Sequence, residues 1–441
     1  MQTLPPHILE RILINLPVND HLIIVASLSK RFRSLLADNQ AFSTLHLAYQ
    51  FKASGLDRFW KFLNASDIRS PLPRQYQSAI INCISPDQAA VLHALQWGSH
   101  RGQILVVHHL LTERNLDPSI RNNTCICAAS EAGHLTIVKL FLKDNRVDPT
   151  AEDNFCIQAA SEKGHSDIVS LLLQDGRSDP AANDNLPIRV SSEKGWIKTV
   201  QLLLSDNRVT PEAKNNAAIR MACRNGHAAV VAELLKFSTD ITANENACIQ
   251  TASIFGHADV VRLLLLDGRA DPASDNNSCL RWSAEEGFPQ VVSLLLQDPR
   301  VNPADQECAP FLKAVEKGHS KVVELFLKDG RVSGGINQAI QKASLKGRTE
   351  IVRQLLEHPF VDPACNSNYC IKAASKFGHI DVVKLLLEDQ RVDPTANDNI
   401  SLLYASSKGH TEVARLISAH PKVLPSREEA IEWAIRRLVS K

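Results

Sequence analysis

The chain has 441 residues, which is too long for one ordinary hydrophobic core, so several domains or a repeat array is expected. Hydrophobic residues make up 44%, and 49 Lys and Arg nearly balance 48 Asp and Glu, for a formal net charge of +1. This composition is typical of a soluble folded protein and gives no reason to expect nucleic acid or an anionic membrane as a partner. No apolar run approaches the roughly 18 residues of a membrane span, and residues 1–20 lack the apolar stretch of a secretory signal, so we expect neither element.

The first forty residues carry the pattern of three short helices. Ile8, Leu9 and Ile12 line one face of the first helix, and Pro17 ends it. Residues 22–26 are apolar all round, so the second helix must be covered on more than one side. About forty residues rarely support a core without disulfides, metal or a partner, which indicates that part of this cover comes from another protein.

This N-terminal segment, residues 1–42, resembles an F-box, the helical motif that docks a protein onto the small adaptor subunit of cullin–RING ubiquitin ligases. The match is ungapped from Leu4 to Phe42, although Ser29, Phe32 and Phe42 stand where Cys, Trp and Trp are commoner in the family. The resemblance implies an adaptor protein as partner. The positions that it implies for adaptor binding are Leu4, Pro5, Ile8, Leu9, Ile12, Leu16, Pro17, Leu22, Val25, Leu28 and Phe32. The alternative is that these helices only cap the rest of the chain.

Residues 43–84 predict a helical linker between this domain and the rest of the chain. Apolar pairs at residues 59–60 and 62–63 lie beside charged residues at 57–58 and 61, which is the pattern of an amphipathic helix. Two prolines at 71 and 73 then indicate a turn. We expect this linker to fix the N-terminal domain against the region that begins at residue 85.

From residue 85 to residue 424 one short unit recurs. Glycines mark its register in steps of 31 residues, apart from one step of 30 and one of 29, at Gly102, Gly133, Gly164, Gly195, Gly226, Gly256, Gly287, Gly318, Gly347, Gly378 and Gly409. Such recurrence is typical of solenoids, in which each unit buries its apolar face against the next.

Each unit predicts two short helices. Asn recurs ten residues before the glycine in nine of ten units, with Cys308 as the exception, and can cap the first helix. The glycine ends that helix, because a residue that tolerates a left-handed backbone closes the turn at least cost. The second helix has the pattern Ile/Val-Val-x-Leu-Leu-Leu, as in residues 260–265, and is too apolar to be exposed. Asp-Pro, as at residues 148–149, then turns the chain out of the helix.

The block Ala-Ala/Ser-x-x-Gly-His-x-x-Val-Val-x-Leu-Leu-Leu resembles the centre of the ankyrin repeat. The Thr-Pro-Leu-His helix start of that family is absent, and the period is about two residues shorter than the usual 33, so we expect clipped β-hairpin fingers. Tetratricopeptide and HEAT arrays have longer periods and lack the Gly-His turn. The expected fold is therefore all-α, an ankyrin-like helical solenoid of about 11 repeats after a small three-helix F-box-like domain. A capping helix over residues 425–441 closes it and opens with Ser426-x-x-Glu429.

Cysteines and histidines recur with the repeat, and we expect no metal, cofactor or catalytic site from them. Five cysteines stand eight residues before a repeat glycine, at Cys125, Cys156, Cys248, Cys279 and Cys370. Equivalent positions of stacked helices lie roughly 10 Å apart, beyond the reach of a disulfide, which predicts buried packing residues in a reducing cytoplasm or nucleus. The histidine of each Gly-His pair can bond a local carbonyl at its helix-start turn. We expect a protein that is not an enzyme.

Positions at which the repeats differ are the candidates for binding, because stacking fixes the others. Two of them, nine and six residues before the glycine, should line an inner groove. The side chains there that best suit an interface are Phe155, Leu186, Arg189, Arg220, Arg281, Tyr369 and Lys372.

The expected function is that of a non-catalytic substrate receptor of a cullin–RING (SCF-type) ubiquitin ligase. Its F-box docks the adaptor and its repeats hold a target protein, and we expect a monomer apart from the adaptor. The alternative is an ankyrin-repeat scaffold that sequesters a partner and never meets a ligase.

Overall fold

The computed structural model describes residues 74–83, 88–237 and 239–426. These residues fall into two compact units, which divide between Ala218 and Ile219. Helices of 7 to 13 residues alternate with short turns in both units, and the described residues contain no strand. No helix in the part of the chain that the structure describes is both long and apolar enough to cross a membrane.

The first unit contains nine complete helices in its described residues, and a tenth begins there. They are α1 (Arg74–Cys83), α2 (Gln88–His100), α3 (Ile104–Thr112), α4 (Ile120–Glu131), α5 (Leu135–Leu142), α6 (Ala151–Lys163), α7 (Ser166–Asp175), α8 (Ala182–Lys194), α9 (Ile197–Leu204) and α10 (Ala213–Arg224).

The second unit continues the alternation of helices. They are α11 (Ala228–Leu234), α12 (Ala243–Ile254), α13 (Ala258–Asp267), α14 (Ser274–Glu286), α15 (Pro289–Gln297), α16 (Asp305–Lys317), α17 (Ser320–Asp329), α18 (Ile336–Lys346), α19 (Thr349–Leu356), α20 (Cys365–Phe377), α21 (Ile380–Glu388), α22 (Ala396–Ser407) and α23 (Thr411–Ser418). Two short 3₁₀ turns, Ser333–Gly335 and Pro421–Ser426, accompany them.

Within each unit, a repeat is a pair of helices that packs on neighbouring pairs. The first helix α6 contacts the first helices α4 and α8, and the second helix α7 contacts the second helices α5 and α9. Apart from Ile157, the buried side chains of α6 are small, including Cys156, Ala159 and Ala160, so its neighbours approach closely. The second helix α7 buries Ile168, Val169 and Leu172 against the same layer. The predicted two-helix repeat is therefore confirmed.

The first helix of most repeats begins with a left-handed turn of three residues. In α6 these are Glu152, Asp153 and Asn154, with φ of 53°, 55° and 65°. Three successive left-handed residues occur at this position in nine repeats of the described residues. Asn and Asp tolerate this conformation better than most side chains do. Sequence analysis predicted a shortened β-hairpin finger between repeats. The left-handed turn occupies this part of the repeat.

The predicted capping role of the repeated asparagine is wrong. No side-chain capping bond is present at the start of α6. Instead, the backbone N–H of Asp179 in the next repeat donates to Oδ1 of Asn154 at 2.7 Å. The backbone N–H groups of Asp148 and Asp393 donate to Asn123 and Asn368 in the same way, at 2.9 and 2.8 Å. The asparagine therefore ties one repeat to the next.

Helix α1, from the region predicted as a linker, belongs to the first unit and contacts its repeats. It packs on the second helix α3, and Ile80 is fully buried. The backbone N–H of Leu105 donates to Oε1 of Gln77 at 3.0 Å. The predicted F-box helices, the rest of the linker up to residue 73, and the predicted capping helix from residue 427 onward lie outside the described residues.

Candidate interaction surface

The turn between the two helices of a repeat joins it to the preceding repeat. His165 Nε2 donates to the carbonyl oxygen of Glu131 at 3.0 Å, 34 residues earlier. Its ring lies over Gly133, where an added Cβ would come within 2.6 Å of the ring. Gly133 has a φ of +82°, so this position needs glycine both for its backbone and for the close approach. The expected left-handed glycine is confirmed, but the partner of the histidine is not the local carbonyl that was expected.

Substitutions at the histidine position show what the turn requires. Trp196 Nε1 donates to Glu162 O at 2.9 Å, and the Arg348 guanidinium donates to Glu316 O at 3.0 and 3.2 Å. Phe288 covers Gly256 without a polar atom. A flat side chain over the glycine therefore occurs in each of these repeats, and an N–H donor to the preceding repeat is present in all of them except the one with Phe288. The described residues contain no group of three or more His, Cys, Asp or Glu side chains that could hold a metal ion.

A second hydrogen bond between repeats, which sequence analysis missed, is made by an arginine that follows the second helix. Arg177 Nη1 donates to Val147 O at 2.7 Å, while its Nε pairs with Asp175 at 2.7 Å. The same bond to a carbonyl 30 residues earlier is made by Arg208, Arg269, Arg300, Arg331 and Arg391. The hydrogen bond from Arg208 lowers the pKa of its partner Asp206. The recurrence of Asp-x-Arg at one place in the repeat was the signal that could have found it.

Thiols from adjacent repeats also come together. The sulfurs of Cys127 and Cys156 lie 3.4 Å apart, and both side chains are buried, as the sequence predicts for Cys156. The expected spacing of 10 Å applies to equivalent positions, whereas Cys127 stands six residues before its glycine and Cys156 stands eight. The Cys127 thiol and burial together raise the pKa of Cys156 above its usual range.

Several side chains predicted to line the groove turn back onto their own repeat. Arg189 Nε and Nη2 donate to the carbonyl oxygens of Asp184 and Asn183 in the left-handed turn, at 3.0 and 2.9 Å. Gln250 Nε2 does the same to Glu245 O at 2.8 Å. These two side chains, which stand six residues before the glycine, therefore stabilise the left-handed turn of their own repeat, and these N–H donors are then not available to a binding partner.

The other predicted groove residues are divided between the two units. In the first unit, Phe155 and Leu186 are half-buried on α6 and α8. In the second unit, Arg281 lies 5.7 Å over the ring of Trp282 and 3.7 Å from the Asp275 carboxylate. Arg220 and Lys372 are half-buried there, and Tyr369 is exposed. The eleven predicted adaptor-binding residues, from Leu4 to Phe32, lie outside the described residues.

Exposed aromatic side chains near the ends of the first helices were missed. Phe255, Trp282 and Phe377 are 47%, 40% and 50% exposed. Phe255 and Phe377 stand one residue before the repeat glycine, where the other repeats have Arg, Lys, Glu, Ala or Asn, and Trp282 stands five residues before it, where the residue type varies. The signal was this change of residue type within one repeat position. Apolar rings on an otherwise polar face suit contact with another macromolecule.

Helix pairs whose first helices present variable exposed side chains define a repeat protein that binds partners through an extended surface. The family described as ankyrin repeats (3 copies) matches residues 93–184, 188–276, 252–333, 314–398 and 340–427, and the F-box domain matches residues 1–43. The chain belongs to the ankyrin-repeat family and carries an F-box domain. Both are non-catalytic interaction domains. Among curated proteins, no match to the chain is found.

Proposed function

We propose that the protein is a substrate receptor of a cullin–RING (SCF-type) ubiquitin ligase and is not itself an enzyme. The F-box docks the ligase adaptor, the ankyrin repeats hold a target protein, and ubiquitin transfer proceeds by the proximity that the other subunits supply. The observation that carries the proposal is the presence in one chain of an F-box domain at residues 1–43 and ankyrin repeats over residues 93–427.

The repeats support this proposal because hydrogen bonds to backbone carbonyls fix one repeat to the next. The variable side chains remain on the surface. Within the second unit, for example, Arg331 bonds Val301 O at 3.0 Å and His319 bonds Glu285 O at 2.9 Å. Such bonds restrict the movement of one repeat on the next, and a preorganised surface binds with a smaller entropic cost. The first helices then differ mainly in exposed positions, such as Trp282 and Tyr369.

Co-purification of the adaptor with the full chain tests the proposal. The wild type should retain the adaptor, whereas Leu9→Asp combined with Leu16→Asp should reduce it at least about ten-fold, because charges would have to be buried in an apolar interface. The matched control is Leu266→Asp, at a leucine that is 77% exposed, and it should retain the adaptor. Circular dichroism should show unchanged helix content in every variant. A wild-type chain that never retains the adaptor would refute the ligase function.

A further inference from the structure

The first helices of two neighbouring repeats in the second unit carry an excess of lysine, and a further lysine directly follows the first helix of the next repeat. Helices α18 and α20 contain four lysines and no acidic residue, and Lys408 directly follows α22. The acidic residue of α22, Asp398, lies in the left-handed turn at the opposite end of that helix. Positive charge therefore concentrates near the C-terminal ends of these three first helices.

Two rings lie among these lysines, the exposed Phe377 and the half-buried Tyr404. Lys346, Phe377 and Lys408 occupy the same place, one residue before the glycine, in successive repeats. Lys376 Nζ lies 5.7 Å from the ring centroids of both Phe377 and Tyr404, so it bridges two repeats. We define the lysine surface as Lys346, Lys372, Lys376, Lys408, Phe377 and Tyr404.

The charges of the lysine surface are largely uncompensated. Lys346, Lys372 and Lys408 make no ion pair with any residue that the structure describes. Earlier in the same unit the lysines are paired, since Lys313 and Lys317 lie 3.6 and 3.4 Å from Glu285. Lys372 and Lys376 are four residues apart on one helix, and like charges at this spacing repel. An anionic partner would relieve that repulsion.

We propose that the lysine surface is the place where the target binds, and that it takes a short acidic segment of a protein with aromatic or apolar side chains. This inference rests on the proposed function, because it names the chemistry of the target. Neighbouring repeats lie about 8–10 Å apart, which is about three residues of extended chain at ~3.3 Å each. Acidic residues at every third position therefore reach the lysines of successive repeats, and the side chains between them contact Phe377 and Tyr404.

Single-stranded nucleic acid also binds lysines and aromatic rings, but such sites track a long backbone. Here the positive surface covers three repeats and ends at carboxylates, with Glu316 on α16 lying 3.5 Å from Lys342. The chain as a whole has a net charge of only +1. A short acidic peptide fits this limited surface better than a polynucleotide does.

Fluorescence anisotropy with the full chain tests the proposal. The probe is a labelled peptide of four Glu-Tyr-Ser repeats, and the control probe has Lys in place of Glu. The wild type should bind the acidic probe and not the basic one, and affinity should fall as salt rises. Lys372→Glu with Lys408→Glu should weaken binding at least about ten-fold, because two attractions become repulsions.

The matched control is Lys198→Glu with Lys384→Glu, which makes the same charge change on exposed faces of second helices and should alter affinity less than about two-fold. Phe377→Ala should weaken binding without changing its salt dependence. Equal binding of the basic probe, equal effects of the two double variants, or tighter binding of a twelve-nucleotide RNA would each overturn the proposal. The assay contains no adaptor, so a failure of the ligase function leaves its result unaffected.

Discussion

The guanidinium of Arg391 donates a hydrogen bond of 2.7 Å to the carbonyl oxygen of Val361, and the two residues are 30 positions apart in the chain. Its Nη2 also donates to Leu356 O at 3.1 Å and pairs with Asp389 at 2.6 Å. One side chain thus satisfies two carbonyls of the preceding repeat while its charge is neutralised. Repeats of this chain are tied at their turns as well as through their apolar core.

Arg391→Ala should lower the free energy of unfolding by about 1–2 kcal/mol, because the two carbonyl bonds and the ion pair are lost together. Arg391→Lys should cost less, since Lys422 naturally bonds Val392 O at 2.9 Å at the equivalent place of the next repeat. The control is Arg262→Ala, whose exposed pair with Asp259 is 3.7 Å long and should contribute less than about 0.5 kcal/mol. Urea unfolding measures all three variants, and equal losses for Arg391→Ala and Arg262→Ala would contradict the structural role of the tie.

Gly133→Ala should destabilise the protein more than Gly176→Ala does. Both glycines are left-handed, with φ of +82° and +79°, so both variants pay about 1–2 kcal/mol of backbone strain. A Cβ at Gly133 would also meet the His165 ring, whereas nothing lies within 4 Å of a Cβ at Gly176. Thermal unfolding should therefore show a larger fall for Gly133→Ala. Adding His165→Ala to that variant should cost less than the sum of the two single changes, and strict additivity would argue against the clash.

Asn154→Gly should expose the amide of Asp179 to exchange. Glycine keeps the left-handed backbone but removes the oxygen that accepts from the Asp179 N–H, at a cost of about 1 kcal/mol. Asn154→Ala should cost more, because it adds backbone strain. Hydrogen exchange should show faster exchange at Asp179 in both variants. Faster exchange confined to residues 156–157 would instead favour the capping role that the sequence suggested.

Cys365 should be the first of the described cysteines to react with iodoacetamide. Hydrogen bonds from the Cys370 thiol and from Gln341, whose Nε2 lies 3.0 Å from the sulfur, lower the pKa of Cys365 to about 6. Cys365 is partly exposed, while the other described cysteines are buried. Because the thiolate is the nucleophile, labelling should accelerate as pH rises through about 6 and then level off. Peptide mass spectrometry measures this rate, Cys365→Ser should remove the fast reaction, and earlier labelling of Cys370 would contradict the assignment.

The period, the two helices and the left-handed glycine could be predicted because they depend on local sequence repeated many times. The contacts between repeats could not, since the partner of His165 is a carbonyl at Glu131 and only the stacked structure brings them together. The role of Asn154 was misjudged because asparagine suits both a helix cap and a left-handed turn. Sequence alone did not show that Glu152 and Asp153 share that turn.

The prediction of binding residues was limited for the same reason, because the sequence does not show which side chains contact the rest of the fold. Arg189 was a sound candidate by residue type, but its guanidinium is used by the carbonyls of residues 183 and 184. Phe377 was overlooked because only two positions of each repeat were considered, although it is 50% exposed. Exposure and hydrogen bonding together, rather than residue type, distinguish a side chain that is available for binding from one that is already bonded within the fold.

Proximity labelling from the full chain in cells tests most directly whether its two ends have separate roles. The wild type should label the adaptor, the cullin and a set of target proteins. Leu9→Asp with Leu16→Asp should lose the adaptor and cullin while the targets accumulate, and Lys372→Glu with Lys408→Glu should lose the targets while keeping the ligase subunits. A wild type that labels neither adaptor nor cullin, or two variants that lose the same proteins, would contradict the account.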